Sequence, residues 1–238
     1  MQRVQKLLNN YGYCSRRRAE ELIQQKRVTV NGRVITVGDK ASESDRIRVD
    51  GKLIREQKRI YLMFNKPTGC ITALKDKSFR TVMDYINFKK RVFPVGRLDY
   101  NTSGLLLFTN DGDFANRITH PRYQVNKTYL VGLNKPITNK EIQLIEAGLE
   151  LEDGKSRPAK VKKIKPALLE VTIHEGKNRI IRRIFEKLNF KLRFLKRLRV
   201  GNLSLGELRP GKYRVLSKRD RERIFGINHE GKNFLSPH

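Results

Sequence analysis

Residues 96–112 read GRLDYNTSGLLLFTNDG, a stretch that sets one carboxylate, Asp99, in a Gly-flanked loop directly ahead of a compact apolar run. A strand over LLLF (105–108) would hold that loop on a firm scaffold, which is what a reactive side chain needs. Asp111, inside Asn110-Asp111-Gly112, has the neighbours of an ordinary turn or cap residue. Outward from this stretch, YLMFN (61–65), KTYLVGL (127–133) and ALLEVTI (167–173) read as strands. KEIQLIEAGL (140–149) and NRIIRRIFEKLNF (178–190) carry the 3.6-residue apolar spacing of helices. Strands and helices mix without regular βαβ alternation. The pattern predicts an α+β domain with a mixed, largely antiparallel sheet, flanking helices and a central cleft. No repeat of solenoid length is present.

The N-terminal quarter has a different character. Val4, Leu7, Leu8 and Tyr11 recur at helical spacing, and after Gly12 the N-cap candidate Ser15 opens a second helix with Ala19, Leu22 and Ile23 inward. RVTVNGRVI and RIRVDGKLI follow, each broken by Asn31-Gly32 or Asp50-Gly51, the dipeptides that best fit tight hairpins. The polar run REQKR (55–59) then places a boundary near residues 56–60. The expected organisation is a small domain over 1–56, a larger one over 60–225 and a frayed tail over 226–238.

Lys and Arg number 52 against 24 Asp and Glu, a formal net charge of +28. A surplus that large repels itself unless a polyanion is the usual partner, and nucleic acid is the leading candidate. Residues 176–225 alone hold 17 Lys and Arg against 4 Asp and Glu, so the positive field is concentrated there. No apolar run reaches the roughly 20 residues that span a bilayer, and the N-terminus lacks the apolar core of a secretory signal. A cytoplasmic protein with no membrane partner is expected. Cys14 and Cys70 form no CxxC pair, so two reduced, partly buried thiols are expected rather than a disulfide or a cysteine-rich zinc site. His120, His174, His229 and His238 show no paired ligand spacing, which predicts no metal site. GELRPGKY (206–213) and GINHEGKN (226–233) fit G-x-x-x-x-G-K but lack the following Ser or Thr that would hold magnesium.

Several motifs together carry a family likeness. VQKLL, CSRRRAEELIQQKRVTVNGRVI and VDGKLI, over about residues 2–55, resemble the small RNA-binding domain first described in ribosomal protein S-four. YLMFNKPTG (61–69), GRLDYNTSGLLLFTNDG, KTYLVGL and EGKNRIIRRIF (175–185) resemble, in order and spacing, the RNA pseudouridine synthases of the RsuA/RluB/RluF type. The likeness continues through LRFLKRLRVGNLSLGELRPGKYRVL.

That resemblance implies roles. Asp99 would be the essential carboxylate, Tyr129 the aromatic that stacks on a flipped uracil, and Arg182 the cation paired with Asp99. Arg97 would enter the RNA stack where the uridine leaves. Arg16, Arg17, Arg18, Lys26, Arg27 and Arg33 would bind RNA from the N-terminal domain, with Arg179 contributing from the third motif. Cations at a helix start oppose its dipole, which suits a partner outside the helix. The family's third motif usually reads NRQIRR, and here Ile180 replaces Gln with Arg182 still in register. Lys66 and Pro67 are expected to shape the cleft wall, the lysine adding general positive potential. Isomerisation needs no redox change, so no cofactor is expected. The expected partner of a monomeric protein is ribosomal RNA or a ribosomal assembly intermediate, and likeness to the RluB and RluF branches favours the large subunit. The rival reading is a non-catalytic RNA-binding assembly factor.

Overall fold

Both hairpin dipeptides adopt the backbone their chemistry permits. Asn31 and Gly32 have φ of 51° and 87°, and Asp50 and Gly51 have φ of 50° and 74°. Positive φ at both central residues is what a tight two-residue turn between twisted strands requires. The computed structural model describes residues 1–226, which divide into two compact units. Beyond Gly226, the expected tail, His229, His238 and most of the second G-x-x-x-x-G-K pattern lie outside the described residues.

The first unit comprises residues 1–61, 88–93 and 108–116. It contains β1 (Gln2–Arg3), α1 (Val4–Asn10), α2 (Arg16–Gln24), β2 (Val28–Val30), β3 (Arg33–Val34), β4 (Lys40–Ala41), β5 (Ile47–Val49) and β6 (Lys52–Leu53). The order β3-β2-β5-β6 makes a four-stranded antiparallel sheet, and β1 pairs with β4. Leu7, Leu8, Ala19, Leu22 and Ile23 pack against Val28, Ile47 and Val49, so both helices bury the faces their spacing indicated. Ser15 Oγ accepts from Arg18 N at 3.1 Å, capping α2.

Residues 108–116 join this unit through directed bonds. Asn110 Oδ1 accepts from Ile60 N at 2.8 Å, and Thr109 Oγ1 donates to Ile60 O at 2.6 Å. The buried Asp111 carboxylate accepts from Tyr61 Oη at 2.8 Å and, at its other oxygen, from Asp113 N and Phe114 N at 3.0 Å each. Asp111 is thus a helix-start residue, and compactness follows these hydrogen bonds rather than chain order.

The second unit comprises residues 62–87, 94–107 and the chain from Arg117 onward. Its elements are drawn from β7 (Tyr61–Lys66), β8 (Phe93–Val95), β9 (Ser103–Thr109), α3 (Gly112–Thr119), β10 (Lys127–Leu133), α4 (Asn139–Ala147), β11 (Lys160–Lys165), β12 (Leu168–Ile173), α5 (Ile180–Lys187), β13 (Leu192–Val200), β14 (Leu203–Ser204), β15 (Tyr213–Val215) and α6 (Lys218–Ile224). A nine-stranded sheet runs β11-β12-β10-β13-β9-β7-β15, with β14 added to β13 and β8 to β9. β10 is antiparallel to both β12 and β13, β11 to β12, and β15 to β7.

Two strands escape the hydrophobic pattern. β11, KVKKIK, is an edge strand whose exposed lysines keep other chains from pairing with it. β13, LRFLKRLRV, sits mid-sheet although it carries four cations, because Arg197 is buried with its Nε donating to Leu105 O at 2.6 Å. A buried guanidinium is tolerated when its donors find acceptors.

The pairing of β13 with β9 is parallel, with Lys196 opposite Ser103 and Arg197 opposite Gly104. Gly104 has φ of 105°, and a Cβ there would lie 2.2 Å from Arg197 O and 2.6 Å from Arg197 N. Both backbones are strand-bound and neither can retreat. Gly104→Ala is expected to separate these strands, costing more than the ~1 kcal/mol typical of a point substitution, with thermal denaturation as the readout. A melting temperature equal to that of the parent protein would show that the approach is not as tight as described.

Candidate functional site

Asp99 lies in the loop between β8 and β9, and its backbone is held from several directions. Thr102 N donates to Asp99 O at 3.0 Å, closing a turn. Thr72 Oγ1 donates to Leu98 O at 2.7 Å and accepts from Leu98 N at 3.1 Å. Gly69 N donates to Tyr100 O at 3.1 Å. Beneath the loop Lys66 is fully buried, and its Nζ donates to Pro67 O at 3.0 Å, Asp99 O at 3.0 Å and Thr102 O at 2.9 Å.

Lys66 is therefore a clamp on backbone carbonyls rather than a source of general potential at the cleft wall. Burial pulls its ammonium below the usual lysine range, opposed by the Cys70 thiol and the Asp99 carboxylate. Cys14 and Cys70 are both free and buried, and burial raises each thiol.

Arg182, on α5, reaches the same loop. Its Nη2 donates to Asn101 O at 2.9 Å and to Thr102 Oγ1 at 3.2 Å, while its Nε lies 3.8 Å from Asp99 Oδ2. One side chain thus orients the turn and neighbours the carboxylate, which retains 42% of its side-chain surface exposed.

These groups line a cleft of about 260 Å³ in the second unit. Asp99, Arg97, Arg179 and Arg182 are among the lining residues, Tyr129 and Lys127 come from β10, and Arg197 from β13. Leu107, Ile118, Ile173, Leu195 and Val200 supply apolar lining. Tyr129 is buried, with Val171 and Arg197 as its cross-strand partners. Arg97 is exposed, and Arg179 stands at the N-cap position of α5 with a left-handed φ of 49°, no capping hydrogen bond from its side chain, and an ion pair to Glu186 at 3.7 Å. Glu175 is buried in the cleft wall and accepts from Arg157 N at 2.9 Å.

The N-terminal cations lie in the first unit. Arg16, Arg17 and Arg18 stand exposed in the first turn of α2, with Arg18 bonded to Glu21 at 2.8 Å. Lys26 and Arg33 are exposed beside the first hairpin. Arg27 is committed to a bidentate pair with Asp50, at 2.8 Å and 2.6 Å, so it also braces the second hairpin. Among the described residues no cluster of His, Cys, Asp or Glu could hold a metal ion, and no helix is long and apolar enough to cross a membrane.

Lys127 is a cleft residue that sequence reasoning missed. It stands two positions before Tyr129, a spacing that returns a strand to the same face. Burial, reinforced by the Arg197 guanidinium, lowers its ammonium to about 8. A fold that keeps a desolvated cation at a cleft wall suggests use rather than stability.

Residues 60–187 match the family model described as RNA pseudouridylate synthase, and residues 2–47 match the S4 domain. Ribosomal large subunit pseudouridine synthase B of Bacillus subtilis (strain 168) is 42% identical over 243 residues, covering 98% of this chain and 99% of that protein. Dual-specificity RNA pseudouridine synthase RluF of Escherichia coli (strain K12) is 35% identical over 238 residues, covering 99% of this chain and 82% of that protein. A crystal structure of a pseudouridylate synthase superposes with a TM-score of 0.71 at 30% identity, covering 94% of this chain and 100% of that one. The chain belongs to the RNA pseudouridylate synthase family. Within it, this is an RNA pseudouridine synthase of the RluB/RluF type carrying an N-terminal S4 domain.

Two substitutions probe the cleft. Lys66→Met orphans buried carbonyls at about 1–3 kcal/mol each, so melting temperature and kcat are both expected to fall; a variant unchanged in both would refute the clamp. Lys127→Met is expected to raise the melting temperature at pH 7 by about 2–4 °C, as roughly 1 kcal/mol does in a chain of this size. The sign follows from linkage: the cost of the buried charge is complete below pH 8, shrinks as the folded-state lysine loses its proton, and is gone above about 10.5. Melting curves of both proteins from pH 7 to 10.5 should converge. Parallel curves would mean that Lys127 keeps an ordinary affinity for its proton.

Proposed function

We propose that the protein isomerises a uridine of large-subunit ribosomal RNA to pseudouridine, with Asp99 as the essential carboxylate. The observation that carries this reading is the gathering of Asp99, Tyr129 and Arg182 in one cleft, with Arg182 Nε 3.8 Å from Asp99 Oδ2. The Arg182 guanidinium faces the carboxylate from a position that can orient it, and a carboxylate can act as nucleophile or base. The first of the relatives above acts, by its name, on the large ribosomal subunit, which supports the choice of RNA.

In the reaction the bond between uracil N1 and ribose C1′ breaks, the base turns, and C5 bonds to C1′. The C5 proton leaves and N1 ends protonated, so atoms and electrons balance within the nucleotide. The uridine must leave its stack, at a cost of a few kcal/mol. Arg97, exposed at the cleft, fills the space it vacates, and Tyr129 receives the flipped ring. Arg16, Arg17, Arg18, Lys26 and Arg33 contact phosphates from the S4 domain, Arg27 adds positive charge from its pair with Asp50, and Arg179 lies beside the cleft, together positioning the RNA rather than reading its sequence. The protein works as a cytoplasmic monomer on ribosomal RNA or an assembly intermediate.

The test is carbodiimide mapping of pseudouridine in ribosomal RNA and in ribosomal particles treated with the parent protein or with Asp99→Ala. A new stop with the parent and none with the variant, RNA binding being equal, is expected. A stop made equally by both would remove Asp99 from the chemistry, and no stop on either substrate would favour a protein that only binds RNA.

A further inference from the structure

Two large rings that the core does not need stand beside the Asp99 loop. Phe79 is 55% exposed and Tyr100 is 43% exposed, yet they meet edge to face with centroids 5.9 Å apart and planes at 71°. Exposed aromatics packed on one another and rimmed by polar groups mark an interaction surface more often than a defect of folding. We propose that Phe79 and Tyr100 form a shelf on which an unpaired base of the substrate RNA, flanking the target uridine, is stacked.

Both rings are held in advance of any ligand. Tyr100 is the residue after Asp99, one Cα step of about 3.8 Å away, and its carbonyl accepts from Gly69 N at 3.1 Å and Lys66 Nζ at 3.5 Å. Phe79 sits in a loop whose base is closed by Ile71 N donating to Arg80 O and Val82 N donating to Ile71 O, each at 2.9 Å. Near its tip the Asp76 carboxylate accepts from Ser78 N at 2.8 Å and Phe79 N at 2.9 Å, bonds that hold that carboxyl below its usual range. The loop therefore presents Phe79 from a fixed turn.

The occupant follows from charge and geometry. Lys75 and Lys77 stand exposed in the same loop, and Arg80 lies 4.4 Å over the Tyr85 ring. A cationic loop carrying aromatic faces suits a polyanion with π-faced bases, the combination that single-stranded nucleic acid offers. An edge-to-face pair also leaves a broad ring face free for parallel stacking. When the uridine leaves its stack, its neighbour loses a stacking partner, and the shelf replaces it.

This assignment rests on the reading of Asp99 as the catalytic carboxylate, and the chain's lack of tryptophan lets the two be tested apart. Phe79→Trp places a sole indole in the shelf. Titration with transcribed large-subunit ribosomal RNA is expected to quench its emission over the concentrations at which filter retention reports binding. Phe79→Ala and Tyr100→Ala are each expected to raise KM roughly tenfold, within the range of one lost base–aromatic stack, with kcat held, while Phe79→Tyr and Tyr100→Phe restore KM. RNA retained on the filter with emission unmoved, or KM unchanged in both alanine variants, would overturn the shelf and leave the rings to a protein partner. Asp99→Ala in the Phe79→Trp background should quench equally while making no pseudouridine. Loss of the catalytic reading would show instead as pseudouridine formed without Asp99, whatever the emission does.

Discussion

The site depends on an ammonium group that never touches solvent. Lys66 Nζ gathers the carbonyls of Pro67, Asp99 and Thr102 into one shell, so the loop bearing the carboxylate is tied to β7 by a charge whose own hydration has been given up. Such a charge is costly to bury and tolerable only when its donors are satisfied. Backbone carbonyls satisfy them without neutralising Asp99, whose side chain stays available. A carboxylate in place of those carbonyls would have consumed the cation as an ion pair.

The rest of the cleft handles excess positive charge by distributing it. Arg182 divides its donors between the turn and the neighbourhood of Asp99, Arg197 spends its Nε on Leu105 O inside the sheet, and Lys127 is left partly desolvated with its ammonium lowered to about 8. The cations of the cleft thus have separate tasks. Others stay at the surface: Arg97 at the cleft and Arg16 and Arg17 on α2 are exposed, while Arg179 and Arg18, also exposed, pair with Glu186 and Glu21. An RNA enzyme with a net charge of +28 needs this sorting, because cations that all faced the cleft would repel one another.

Much of the fold was legible because local chemistry and tertiary context agreed. Asn31-Gly32 and Asp50-Gly51 can hardly do other than turn, Ser15 caps α2, and Asp111 opens α3 from a buried position. The strands β7, β10 and β12 followed from apolar runs. β11 and β13 did not, since lysines at an edge and arginines in mid-sheet give neither alternation nor an apolar run. The helix expected over 178–190 is shorter, Ile180–Lys187, because Arg179 takes a left-handed conformation and Asn189 ends the last turn with φ of 58°.

By itself the sequence determined the class of protein, the polyanionic partner, and the residue types that could carry the reaction, because these rest on composition, spacing and motif order. Only the tertiary structure decided which of those residues share a cleft, that Lys66 is a clamp, that Lys127 and Arg197 belong to the site, and that Phe79 meets Tyr100 on an exposed shelf. Each of those facts joins residues far apart in the chain. A lysine's meaning depends on whether its ammonium ends among carbonyls, beside a guanidinium or in water, and folding alone settles which.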